Sequence, residues 1–147
     1  MKKAIYFDMD GTIADLYGID TWLSDILAEN ERPYKEAKVL VNMNLLAKRL
    51  HKLQENGYKL GIISWTAKNA TETYNEKVAK AKKEWLHKHL KSVKFDEIVI
   101  VPYGTPKQKV VKYNEGILFD DEEPNRTNWT GTAYDVNNIL ETLTLLV

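Results

Sequence analysis

The sequence has no cysteine, no net charge and no long apolar run, and only four prolines and seven glycines among 147 residues. Without cysteine there is no disulfide framework, no thiolate zinc site and no cysteine nucleophile. Basic and acidic residues number 21 each, so no overall field draws the chain to nucleic acid or anionic lipid, and any steering must be local. Met1-Lys2-Lys3 runs straight into a strand-like segment rather than a long apolar secretory one, which gives the expectation of a cytoplasmic protein with no membrane partner. The prolines stand singly at Pro33, Pro102, Pro106 and Pro124, and no linker, repeat or low-complexity stretch divides the chain. With 44% hydrophobic and 29% charged residues, one self-sufficient domain over 1–147 is expected.

What is present alternates. Ala4–Phe7, Leu60–Ile63, Ile98–Val101 and Gly116–Phe119 are short, almost continuously apolar runs, the pattern of strands covered on both faces. Between them, Met43, Leu46, Leu50 and Leu53 recur at helical spacing up to Asn56-Gly57, which stops the helix. A second helix is predicted with Asn69 as its cap, Glu72 three residues on, and Tyr74, Val78, Ala81, Trp85 and Leu86 on one stripe. A third is predicted from Thr105-Pro106 towards Tyr113, and a terminal one carries Ile139, Leu140, Leu143 and Leu146. Strands alternating with helices predict an α/β domain, a doubly wound parallel sheet. Residues 16 to about 42, with Trp22, Leu23, Ile26 and Leu27 at helical spacing, are extra to this alternation and predict a small helical cap insert.

In such sheets ligands bind at the carboxyl ends of the strands, and here those ends are polar. They read Asp8-Met9-Asp10-Gly11-Thr12, then Ser64-Trp65-Thr66, then Gly104-Thr105-Pro106-Lys107-Gln108-Lys109, then Asp120-Asp121-Glu122-Glu123. Asp8, Asp10, Asp120 and Asp121 in one cleft would oppose each other's ionisation, so a cation is required. Oxygen donors without His or Cys favour a hard ion, and a site completed by water and phosphate favours Mg²⁺. A lysine, a hydroxyl and exposed amides on neighbouring loops can hold anionic oxygens, so the parts together suit a phosphoryl group. Of two aspartates one residue apart, one can attack phosphorus and form an aspartyl-phosphate while the other moves protons.

Asp8-x-Asp10-Gly11-Thr12, Ser64, a lysine at 107 or 109, and Asp120-Asp121, each after a successive strand, resemble the four motifs of the haloacid dehalogenase superfamily of phosphatases. The likeness runs from residue 5 to about 135 and implies a Rossmann-like core. It implies Asp8 as nucleophile and Asp10 as general acid/base, with Asp8, Asp120 and the Asp10 carbonyl around Mg²⁺ and Asp121 in support. It further implies that Ser64 holds the transferring phosphoryl while the lysine stabilises its charge. Lys107 lies nearer the strand end, whereas Lys109 fits the family's spacing better, and both stay open. Gly11, Thr12, Trp65 and Thr66 are expected at the substrate.

Within the superfamily, Asp10 to Asp15, the short insert, Lys82-x-x-Trp85-Leu86 and Ile117–Asp121 followed by Trp129 are similar to the small deoxyribonucleotidase group. That likeness implies a 5′-nucleotidase acting on nucleoside monophosphates, although Ser64-Trp65-Thr66 and the insert depart from the group's pattern. Tyr17, Trp22 and Tyr34 either stack on a base or form the insert's own core. Lys77, Lys80, Lys82, Lys83, Lys88, Lys91 and Lys94 read as a solvated helix face, or as a surface for a polynucleotide end, which makes a polynucleotide-end phosphatase one alternative. A non-catalytic phosphate-binding module is another, disfavoured by Asp10. A receiver domain is rejected because its acidic pair precedes the phosphorylated aspartate. Trp129 is expected to pack the domain, and His51, His87 and His89 match no ligand spacing.

Overall fold

The computed structural model describes residues 3–147. Its centre is a five-stranded, wholly parallel sheet formed by β1 (Ala4–Phe7), β4 (Lys59–Trp65), β5 (Glu97–Val101), β6 (Ile117–Phe119) and β7 (Thr132–Tyr134), in the order β5-β4-β1-β6-β7. All four residues of β1 are buried, as a middle strand of apolar residues requires. The chain moves outward from β1 to β4 and β5, then returns to the other side of β1 for β6 and β7. The order therefore reverses between β1 and β6, where the carboxyl ends of the strands open a crevice.

Helix α3 (Met43–Glu55) begins where Asn42 Oδ1 accepts from the Leu45 amide at 3.1 Å. It ends at Gly57, whose φ of +93° is the left-handed conformation that glycine adopts cheaply. Its Leu46, Leu50 and Leu53 are fully buried against Ile5, Phe7, Ile62 and Phe119. Each such leucine contributes about 1.5–3 kcal/mol through burial. Trp85 and Leu86 of α4 (Glu72–His89) and Ile139 and Leu143 of α6 (Ile139–Leu146) complete this face. On the opposite face Ala4, Tyr6, Ile63 and Leu118 pack on Trp129, whose indole N–H donates to the Gly116 carbonyl at 3.0 Å. Trp129 follows α5 (Glu123–Asn128) and packs the domain as expected.

Three local expectations need correction, and two elements carry no local signal. The cap of α4 is Thr71, whose Oγ1 accepts from the Tyr74 amide at 3.2 Å, while Asn69 sits in the preceding turn with φ of +55°. The helix expected from Thr105 is a single 3-10 turn, Lys107–Lys109, and this face of the sheet is covered by Val111 and Tyr113 from the following loop. The short strand β7 and helix α5 had no periodic signal strong enough to be read. Lys82, placed with the solvated lysines, is buried, at 1% exposure.

Between the short antiparallel strands β2 (Ala14–Asp15) and β3 (Lys38–Val39) lie a 3-10 turn and the helices α1 (Trp22–Leu27) and α2 (Arg32–Glu36). Helix α1 buries none of its residues, and Leu23 and Leu27 are exposed. Helix α2 packs Tyr34 with Tyr74, Val78 and Ala81 of α4. The turn between the two helices is fastened to α4, since Glu29 accepts from the Thr71 amide and hydroxyl at 3.0 and 2.8 Å and the Tyr74 hydroxyl donates to the Asn30 carbonyl at 3.0 Å. Among the described residues no helix is long and apolar enough to cross a membrane.

Candidate active site

Asp8 is the first residue after β1, and its amide donates to the Phe119 carbonyl of β6 at 3.0 Å, so its side chain enters the crevice at the point of strand reversal. Asp8 Oδ1 accepts from Lys107 Nζ at 2.9 Å, and Oδ2 accepts from Thr12 Oγ1 at 3.1 Å. Lys107 also donates to Asp120 Oδ2 at 2.7 Å. Burial works against the Lys107 charge, but Asp8 and Asp120 outweigh it and raise the ammonium's pKa. Lys109, two residues on, is exposed. The structure thus brings Lys107 and not Lys109 to the aspartates.

Asp120 is fully buried at the end of β6; its Oδ1 accepts from the Glu122 amide at 2.9 Å, and its carbonyl accepts from Arg126 at 3.0 Å. Carboxylate oxygens of Asp8, Asp120 and Asp121 lie within 4.8 Å of one another. Burial, and then the Asp8 charge, push the carboxyls of Asp120 and Asp121 up to about 6 and about 8. Asp10 is raised as well, by burial first, with Lys82 opposing. Four carboxylates face two buried lysines, Lys82 and Lys107, so full ionisation leaves two negative charges unbalanced. An all-oxygen donor set with that deficit fits a hard divalent cation.

Between pH 5 and 8 the folded, metal-free protein gives up protons that the unfolded chain has already lost, first from Asp120 near pH 6 and then from Asp121 near pH 8, so its stability declines as pH rises. Melting in EDTA is expected at a lower temperature at pH 8 than at pH 5.5, and Mg²⁺ is expected to raise it more at pH 8. Equal shifts from Mg²⁺ at both pH values would contradict this account of the cluster.

Gly11 makes the close approach possible. Its φ is +79°, and a Cβ there would lie 2.8 Å from Asp121 Cγ and nearer still to a carboxylate oxygen. Gly11→Ala is expected to force Asp121 out of the cluster and to cut Mg²⁺ affinity at least ~10-fold, at the scale seen when groups supporting metal ligands are lost. Titration calorimetry with Mg²⁺ checks this.

A cavity of about 430 Å³ opens over Asp8, Asp10 and Lys107, within the size range of small-ligand sites. Tyr17, Trp22 and Tyr34 reach it from the segment between β2 and β3, and Trp65 and Tyr103 from the core. Tyr17 and Trp22 meet edge to face at 5.0 Å, whereas Tyr34 is buried and lies 5.2 Å from Lys82 Nζ. Thr66 lines the cavity, and its buried hydroxyl has no hydrogen-bond partner among the described residues. Ser64 is placed differently: it faces α4, where its Oγ accepts from Lys82 Nζ at 2.7 Å, and it does not line the cavity. The sequence does not announce Tyr103, in the cavity wall, or Lys82, which also donates to Asp10 Oδ2 at 2.8 Å and to the Trp65 carbonyl at 2.7 Å. A signal existed, since Lys82 falls on the buried stripe Val78, Ala81, Trp85. The three histidines stay away from the site; His51 bonds the Ser92 carbonyl and His89 packs on Trp85.

Fold and site together define a Rossmann-like α/β domain whose acidic, lysine-braced pocket sits at the strand ends. No protein-family model matches the sequence, and a search of curated proteins finds no match. Among solved structures, D,D-heptose 1,7-bisphosphate phosphatase from Burkholderia thailandensis matches with a TM-score of 0.59, 11% identity, and coverage of 99% of this chain and 98% of that one. The same enzyme from B. bronchiseptica, complexed with magnesium and phosphate, matches with a TM-score of 0.61 and 13% identity over the whole of both chains. What is shared at such identities is the fold.

Proposed function

We propose that the chain is a Mg²⁺-dependent phosphomonoester hydrolase of the haloacid dehalogenase type, acting through an aspartyl-phosphate on a small molecule, with residues 16–42 as its cap. The observation that carries this is the placement of Asp8 at the end of the central strand, held by Lys107 and Thr12 at the floor of the cavity, with Asp10 beside it. The shared fold supports it, and magnesium and phosphate are bound in one of the two similar structures.

In this reading an Asp8 oxygen forms a bond to phosphorus as the bond to the leaving oxygen breaks, and Asp10 gives that oxygen a proton. Asp10 then takes a proton from the water that cleaves the aspartyl-phosphate, releasing phosphate and restoring Asp8. Lys107 offsets charge on the phosphoryl and on Asp8. Thr66, rather than Ser64, presents a free hydroxyl to the phosphoryl oxygens. Mg²⁺, held by Asp8, Asp120 and the Asp10 carbonyl with Asp121 in support, would neutralise phosphoryl charge when bound.

For the substrate, the aromatic wall of Tyr17, Trp22, Trp65 and Tyr103 favours a flat leaving group, and a nucleoside monophosphate is the first choice. A sugar phosphate is the second reading, favoured by the two similar structures being heptose bisphosphate phosphatases. Phosphate release from a panel of 5′- and 3′-nucleoside monophosphates and sugar phosphates, with Mg²⁺ or EDTA, decides between them. The highest kcat/KM on nucleotides supports the first and on sugar phosphates the second, while no Mg²⁺-dependent release from any ester overturns the hydrolase reading.

A further inference from the structure

Lys82 stands on the buried side of α4, among Val78, Ala81 and Trp85, where an apolar residue would pack without the cost of burying a charge. Its ammonium has three hydrogens, and each has an acceptor: Asp10 Oδ2 at 2.8 Å, Ser64 Oγ at 2.7 Å and the Trp65 carbonyl at 2.7 Å. It is 1% exposed and does not line the cavity, so no donor is left for a ligand. Among the described residues Lys82 is the only side chain that hydrogen-bonds the Asp10 carboxylate. Asp10 itself lines the cavity, with its side chain 19% exposed. One carboxylate oxygen is thereby tied to the end of β4, and the other is left towards the cavity.

We propose that Lys82 is a positioning residue for Asp10: by fixing Oδ2 against the end of β4, it holds the second oxygen at the leaving group. Ser64 belongs to the same device as a strut for Lys82, which accounts for its buried hydroxyl. The inference rests on the hydrolase reading above, because it concerns the step in which Asp10 protonates the departing oxygen.

Leaving groups separate this role from a merely structural one. An alkyl phosphate needs its leaving oxygen protonated, whereas 4-nitrophenyl phosphate departs as a stabilised phenolate and gains little from an acid. Lys82→Met is expected to lower kcat/KM on an alkyl phosphate, the ratio that reports the step in which the leaving group departs, by ~10²-fold, the scale of a misplaced reacting group. On 4-nitrophenyl phosphate the loss in kcat/KM is expected to be below ~5-fold, because its phenolate departs without a proton and the water step that Asp10 also serves comes after the one this ratio reports. Equal losses in kcat/KM on both esters would overturn the proposal.

Lys82→Met leaves a buried carboxylate unpaired and can fail to fold, so Asp10→Asn and the Asp10→Asn, Lys82→Met pair are measured beside it. Asp10→Asn removes that carboxylate but leaves the Lys82 ammonium without a counter-ion, whereas the pair carries neither charge. With Asp10 gone, adding Lys82→Met is expected to lower alkyl phosphate turnover less than ~3-fold, as coupled groups show. A further ~10-fold drop would overturn the proposal. Wild-type protein that hydrolyses neither ester counts against the hydrolase reading itself, so the two failures are distinguishable.

Discussion

Asp8→Asn is expected to reduce phosphate release by at least ~10⁴-fold while leaving the melting temperature unchanged or higher, at the scale of losing a nucleophile from a concerted site. The amide keeps the carboxylate's size and can still accept from Thr12 or Lys107, so the local hydrogen bonds survive in part. It also removes one of the charges that oppose the ionisation of Asp120 and Asp121, which is why stability should not fall. A second readout follows from the mechanism. Wild-type protein quenched during turnover of a ³²P-labelled ester should retain label that hydroxylamine removes, and the variant should retain none. An Asp8→Asn protein with more than a hundredth of wild-type turnover would remove Asp8 from the chemistry.

Lys107→Met is expected to damage both activity and stability. The lysine side chain is 2% exposed and bridges Asp8 and Asp120, so its loss leaves two buried carboxylates uncompensated. Removing one partner of a buried pair costs about 3–5 kcal/mol, or roughly 10 °C in melting temperature for a chain of this length. Mg²⁺ should restore part of the stability by taking over that compensation, but not the lysine's contact with the phosphoryl. Lys109→Ala is expected to keep wild-type melting and turnover within a factor of about two, as an exposed surface change does. Comparable losses in the two variants would refute the assignment of Lys107.

Much of the fold was legible because four of the five strands of the sheet advertise themselves locally. Ala4–Phe7, Leu60–Ile63, Ile98–Val101 and Ile117–Phe119 are apolar whichever neighbours they find, and Met43 to Leu53 has helical period and a glycine stop. The short β7, at Thr132–Tyr134, is only partly buried and carries no such pattern. The segment after Thr105 has a cap and a proline but few apolar residues in helical register, so it closes into one turn and then packs Val111 and Tyr113 on the sheet.

By itself the sequence determined that acidic residues, a lysine and hydroxyls follow successive parallel strands, since chain order and the polarity of strand ends are local properties. Which of them meet was decided by the tertiary structure. Phe7 pairs with Ile62, and side chains alternate across a strand, so Ser64 falls with Ile62 on the face covered by α4 and away from the cavity. Lys107 and Lys109 are two residues apart on a turn of three residues, so they point in different directions and only one reaches Asp8. Lys82 looks like its solvated neighbours in sequence. It becomes part of the site because α4 lays its buried face over the ends of β1 and β4, where a charged group is kept only if its hydrogen bonds are met.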